Sequence, residues 1–168
     1  MVRRLVVLST AAIATAAAAA VPVSAVAQTP PTAQTLTLTE PGSGGTFDIV
    51  DRPPKSHGHE RNPRFSVGDA LVITNPVRDA SGKKVGRVRA VCWVTKASGF
   101  DKAAADCLGV FALASGNLYV TLPGFTFSGS SASGTVVAGT GVYQGLHGTW
   151  TTVNHADESS TDTFNLTP

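Results

Sequence analysis

From residue 67 to residue 153 the chain reads as a rapid series of short strand candidates separated by glycine and serine. Period-2 or compact apolar runs fall at 70–77, 84–96, 103–115, 118–122, 125–127, 134–138, 146–154 and 161–166. Earlier pieces at 35–39, where threonine and leucine alternate, and at 47–50 have the same character. Turn chemistry separates them: residues 79–82 end in Gly82, Pro123-Gly124 interrupts one run, and serine and glycine fill 128–133. Outside the first 27 residues, no window sets apolar residues at helical spacing behind a cap. Short strands at this spacing specify an all-β barrel or sandwich. The pattern alone does not separate those two.

The first 27 of the 168 residues have the make-up of a secretory signal. Arg3 and Arg4 open it, an alanine-rich apolar run follows, and Ala25-Val26-Ala27 supplies a small-x-small cleavage site. Pro22 interrupts the run and no charged flank follows, which argues against a retained membrane anchor. Cleavage after Ala27 leaves a short lead at 28–34 and one domain at 35–168, long enough to bury a core. The leader holds two of the thirteen basic residues and none of the eleven acidic ones, so the remainder is balanced at eleven each. That balance does not call for nucleic acid or an anionic membrane as a partner.

Export places the two cysteines in an oxidising compartment, where pairs bond more often than they stay free. If the 84–96 and 103–115 strands form a hairpin about Gly99-Phe100, Cys92 faces Cys107 directly and a disulfide is expected. A slip of one residue would put the two on opposite faces. The same strand carries Gly86, Val88, Ala90, Cys92 and Val94 on one side, with Arg87, Arg89, Val91 and Trp93 on the other. The small, apolar side is expected inside, opposite Ala105, Cys107, Gly109 and Phe111, because the segment offers no partner for a buried arginine. Trp93, Val91, Leu108 and Val110 then face outward, an apolar patch that a second copy or a terminal segment would cover.

Three stretches carry a resemblance to a known family. They are Val67-Gly68-Asp69 leading to Thr74-Asn75, Val85-Gly86 followed by Cys92, and Val137-Ala138-Gly139-Thr140-Gly141-Val142-Tyr143-Gln144-Gly145. In them the chain resembles the allene oxide cyclase barrel, which plant dirigent proteins share. The resemblance implies a closed, antiparallel, eight-stranded, calycin-like β-barrel that packs as a homotrimer through its outer surface. It implies a cofactor-independent secreted protein that binds a small hydrophobic molecule and steers its cyclisation or stereoselective coupling. That would make it an intramolecular cyclase or isomerase, or a dirigent-like protein served by a separate oxidase. The alternative is a non-catalytic secreted ligand-binding or surface-interaction barrel.

The resemblance also assigns residues. Asn75 falls on a lumen asparagine of the family and Cys92 on a lumen cysteine, with Leu71 and Ile73 at lining positions. The inward face adds Val88, Ala90 and Phe111 to the expected substrate wall. On the first strand the family's inward glutamate and asparagine correspond to Thr37 and Thr39, and Glu40 falls at the rim. The expected pocket is therefore neutral, with Asn75, Thr37 and Thr39 as its polar groups. It suits ring closure by positioning better than acid–base catalysis, and the absent glutamate argues against a jasmonate-type reaction. Asn75 has a second reading as a strand-end residue bonding its own turn before Pro76. Cys92 has one as a free thiol.

Other groupings carry less. His57-Gly58-His59-Glu60 is one short stretch without a second ligand set, so no metal site is expected. Gly139-Thr140-Gly141 opens no helix and reads as hairpin glycines, not as a dinucleotide loop. His147 lies among glycines on a late strand, and Asn165-Leu166-Thr167 is a sequon near the C-terminus. No Gly-x-Ser-x-Gly elbow supports a hydrolase.

Overall fold

A computed structural model of the chain describes residues 32–52, 65–97, 99 and 102–168. The leader expected at 1–27 and the His57–Glu60 grouping lie outside them, as does most of the lead at 28–34. Among the described residues nine strands follow one another: β1 (Gln34–Glu40), β2 (Thr46–Val50), β3 (Ala70–Arg78), β4 (Lys84–Lys96), β5 (Ala104–Leu113), β6 (Gly116–Thr126), β7 (Ser131–Gly139), β8 (His147–Asn154) and β9 (Ser160–Thr167). One short 3₁₀ turn, Gly141–Tyr143, joins β7 to β8.

The sheet runs β1-β9-β8-β7-β6-β5-β4-β3, all antiparallel, and Thr39 pairs with Arg78 to bring β1 back against β3. Eight strands thus close into a barrel, which separates the barrel from the sandwich as expected. β2 continues along the rest of the β3 edge, from Thr46 opposite Thr74 to Val50 opposite Ala70. β1 and β2 therefore act as one strand bent at residues 41–45, and full closure leaves little open edge.

Local chemistry sets the turns. Between β3 and β4, Asp79 Oδ1 accepts the backbone N–H groups of Ser81 and Lys83, and Gly82 takes the left-handed backbone that a side chain disfavours (φ 80°). β4 and β5 pair with the expected register, Cys92 opposite Cys107, and the two form a disulfide with Cα atoms 3.9 Å apart. Arg87, Arg89 and Trp93 point outward, while Val88, Cys92 and Val94 are buried.

One boundary differs from expectation. Segment 118–122 and residues 125–126 belong to a single strand, β6, which passes through Pro123-Gly124 without ending, while Phe127 falls in the turn after it. The pairing slips there, with Ala105 opposite Phe125 but Cys107 opposite Leu122. The Asp106 carboxylate takes the Gly124 N–H that the ladder leaves unpaired (2.8 Å).

The interior is filled unevenly. Val77, Leu118, Leu146, Leu166 and Tyr143 are packed in the buried cluster, and Phe111, Trp150 and Phe164 stack beside them at centroid distances of 4.9–6.3 Å. Toward the other end the inward side chains shorten to Ala90 and Gly109, and the lumen opens.

Candidate functional site

Three rows of paired residues build one wall. Leu71, Cys92, Cys107 and Leu122 lie across β3–β6, then Ile73, Ala90, Gly109 and Val120, then Asn75, Val88, Phe111 and Leu118. Because side chains alternate along each strand, all three rows face inward. Ala90 and Gly109 in the middle row leave a cavity of about 210 Å3. Phe125 and the Trp150 ring complete its apolar surface, while Glu40, Thr152, Asn154, Glu158 and Ser160 supply its polar end. A wider depression of about 690 Å3, formed by residues 41–47, shares Ile73, Asn75, Asn154 and Glu158 with the cavity and gives it a mouth. No lysine, arginine or histidine among the described residues lines the inner cavity.

Of the expected site residues, Ile73, Asn75, Val88, Ala90, Cys92 and Phe111 line the cavity. Leu71 is fully buried but is not part of the lining. Thr37 and Thr39 do not reach the lumen. They alternate with Leu36 and Leu38, which pack into the core, so both threonines stand on the outer face. The alternation that sends Leu38 inward also sends Glu40 inward. The carboxylate expected at the rim is thus a cavity group, and the pocket is not neutral.

Asn75 Nδ2 donates to Glu40 Oε2 over 2.6 Å. This contact is held from outside by the 41–45 turn. A Cβ at Gly45 would lie 1.7 Å from Asn75 Oδ1, so only glycine lets that backbone approach the amide. Behind Glu40 stands Asp162 of β9, fully buried, whose Oδ1 accepts the Trp150 indole N–H at 2.9 Å. Asp162 Oδ2 is buried without a hydrogen bond of good geometry. The Glu40 carboxyl is close enough to interact with it.

Burial pushes the Asp162 carboxyl up to about 8, and the negative charge of Glu40 and the contact with its carboxyl add to the rise. The Trp150 and Thr152 hydrogen bonds oppose it. Burial also raises Glu40, against hydrogen bonds from Asn75 and Asp162 that favour its ionised form. The rise favours the protonated form of Asp162 beside the Glu40 carboxyl at neutral pH. Such a pair can give or take a proton at the edge of an apolar chamber. Sequence reasoning passes over Asp162, Trp150 and Thr152. The signal for them is alternation again, since Asp162 shares a face with Phe164 and Leu166, and Thr152 with Trp150.

No family model matches the sequence, and no curated protein does. Among solved structures the barrel is similar to a pyocyanin demethylase, with a TM-score of 0.59 and 22% identity, over 80% of this chain and 100% of that one. It is also similar to a pterocarpan synthase dirigent protein, with a TM-score of 0.55 and 13% identity, over 80% of this chain and 87% of that one. The fold is the allene oxide cyclase and dirigent type of barrel. At these identities the likeness establishes the fold alone.

Proposed function

We propose that this chain is a secreted barrel that takes a small hydrophobic molecule into its lumen and steers its ring closure or stereoselective coupling without a cofactor. The observation that carries the reading is the open apolar cavity with a single polar end, where Asn75 orients the Glu40 carboxyl. Ile73, Val88, Ala90 and Phe111 form a wall that restricts how a flexible substrate can fold, and holding a near-attack geometry supplies much of the rate of a ring closure. Glu40, with Asp162 as its proton reserve, adds a proton donor or acceptor at the place where charge develops. Thr37 and Thr39 have no part in this reading.

Cys92 and Cys107 contribute to the wall as a disulfide, and that bond supports export through the 1–27 leader. Trp93, Leu108 and Tyr119, between 37% and 53% exposed, form the outer apolar patch through which barrels would pack as a homotrimer. Coupling of phenolic radicals would require a separate oxidase to generate them. The two similar structures are of a pyocyanin demethylase and a pterocarpan synthase dirigent protein, both named for small molecules, which agrees with a small ligand here.

The test is stereochemical. Purified protein is incubated with a polyene epoxide, and separately with a phenol and an external one-electron oxidant, and the products are resolved on a chiral column. An enantiomeric excess that disappears in Ala90→Leu is expected. Racemic products throughout, with the ligand still bound, would leave a binding barrel without a steering role.

A further inference from the structure

We infer that the lumen selects compact aromatic cations, molecules of one or two rings carrying a positively charged nitrogen. This inference deepens the ligand-binding reading above and rests on it.

Size comes first. An apolar cavity of about 150 Å3 admits benzene, so the inner chamber of about 210 Å3 suits a one- or two-ring body. Its lining presents aromatic surface from Phe111, Phe125 and Trp150. Trp150 is pinned in place by its bond to Asp162 and by stacking against Phe164 at 6.3 Å. Among aromatic side chains, tryptophan is the best partner for a cation.

Charge decides the class. Glu40 and Glu158 line the cavity, and no basic side chain among the described residues lines it with them. Asp162, inward-facing and fully buried, leaves Oδ2 without a good hydrogen-bond partner directly behind Glu40. The Asn75 amide donates to Glu40 but carries no charge, so the carboxylate meets a donor and no counter-charge among the lining residues. A ligand cation supplies that counter-charge; an anionic ligand would add a second negative charge beside the first. The polar end therefore excludes carboxylates and sulfonates from the inner chamber while the aromatic wall accepts their neutral and cationic isosteres.

Three probes of one shape separate the outcomes: N-methylquinolinium, 1-methylnaphthalene and 1-naphthoate, titrated calorimetrically into the purified protein at pH 7. The expected ranking puts N-methylquinolinium at least about ten-fold tighter than 1-methylnaphthalene, with 1-naphthoate weakest. Glu40→Gln should bring the first two within about three-fold of each other, and Ala90→Leu should abolish the binding of both. If 1-methylnaphthalene or 1-naphthoate binds as tightly as the cation, the inference is overturned while the apolar ligand cavity stands. If none of the three binds, the ligand-binding reading falls with it. The wild-type ranking decides by itself should Glu40→Gln fail to fold.

Discussion

The Trp150 indole N–H is bonded to Asp162 Oδ1 at 2.9 Å while its ring forms part of the cavity surface. One side chain therefore ties the apolar wall to the buried acid pair. Any change in the protonation of Asp162 is felt where a ligand would lie.

That coupling gives stability a definite pH dependence. Asp162 titrates near 8 in the folded chain but near 3.8 when unfolded, so the folded state holds a proton that the unfolded state loses. Its contribution is complete below about pH 4 and is lost as pH rises toward about 8, with a slope approaching about 1 kcal/mol per unit. Raised Glu40 acts in the same direction, whereas Asp79 and Asp157, whose carboxyls are lowered, act the other way only in acid. Urea titrations from pH 5 to pH 8 should show falling stability. Asp162→Asn keeps an acceptor for Trp150 and an N–H for Glu40, so it should flatten that slope. An unchanged slope in Asp162→Asn would assign the dependence elsewhere.

Asp69 anchors the approach to β3. It is fully buried, with Oδ1 accepting the Arg52 N–H at 2.9 Å and Oδ2 the Ser66 N–H at 2.7 Å. Those donors stand on either side of residues 53–64. Asp69→Ala leaves both without their acceptor and should cost about 2–3 kcal/mol, read as a fall in the denaturant midpoint. A loss below about 0.5 kcal/mol would contradict the anchoring role.

The Cys92–Cys107 bond closes a loop of the size at which a disulfide contributes about 3 kcal/mol. Replacing both cysteines by serine should lower the thermal midpoint markedly and remove its sensitivity to reductant. Because both residues line the cavity, ligand affinity should shift as well.

The β4–β5 register is legible in the sequence, because small or apolar residues hold every second position from Gly86 to Val94 with Arg87 and Arg89 between them, whereas the choice of barrel over sandwich comes from the family resemblance. A disulfide fits only one register of that hairpin. The polar end of the cavity is harder to read. Aligning β1 to the family's first strand turns Thr37 and Thr39 inward, against the chain's own alternation, in which two leucines claim the core and carry Glu40 with them. The physical pattern overrides the borrowed one. Asp162 is hidden for a different reason: a buried aspartate among threonines has no local mark, and its meaning depends on Glu40 and Trp150, far away in the sequence. The continuity of β6 through Pro123 likewise depends on a distant carboxylate, that of Asp106.

The most direct measurement compares the binding of a two-ring apolar ligand to the wild type and to Ala90→Leu, with Trp93→Phe in both so that Trp150 alone reports by fluorescence. Ala90 lies in the middle row of the wall, and a leucine there projects into the chamber. Saturable one-to-one quenching of Trp150 in the Ala90 protein, weakened at least about ten-fold in the Ala90→Leu protein while the fold is retained, is the predicted result. Equal binding by both, or none by the Ala90 protein, would contradict a ligand chamber inside the barrel.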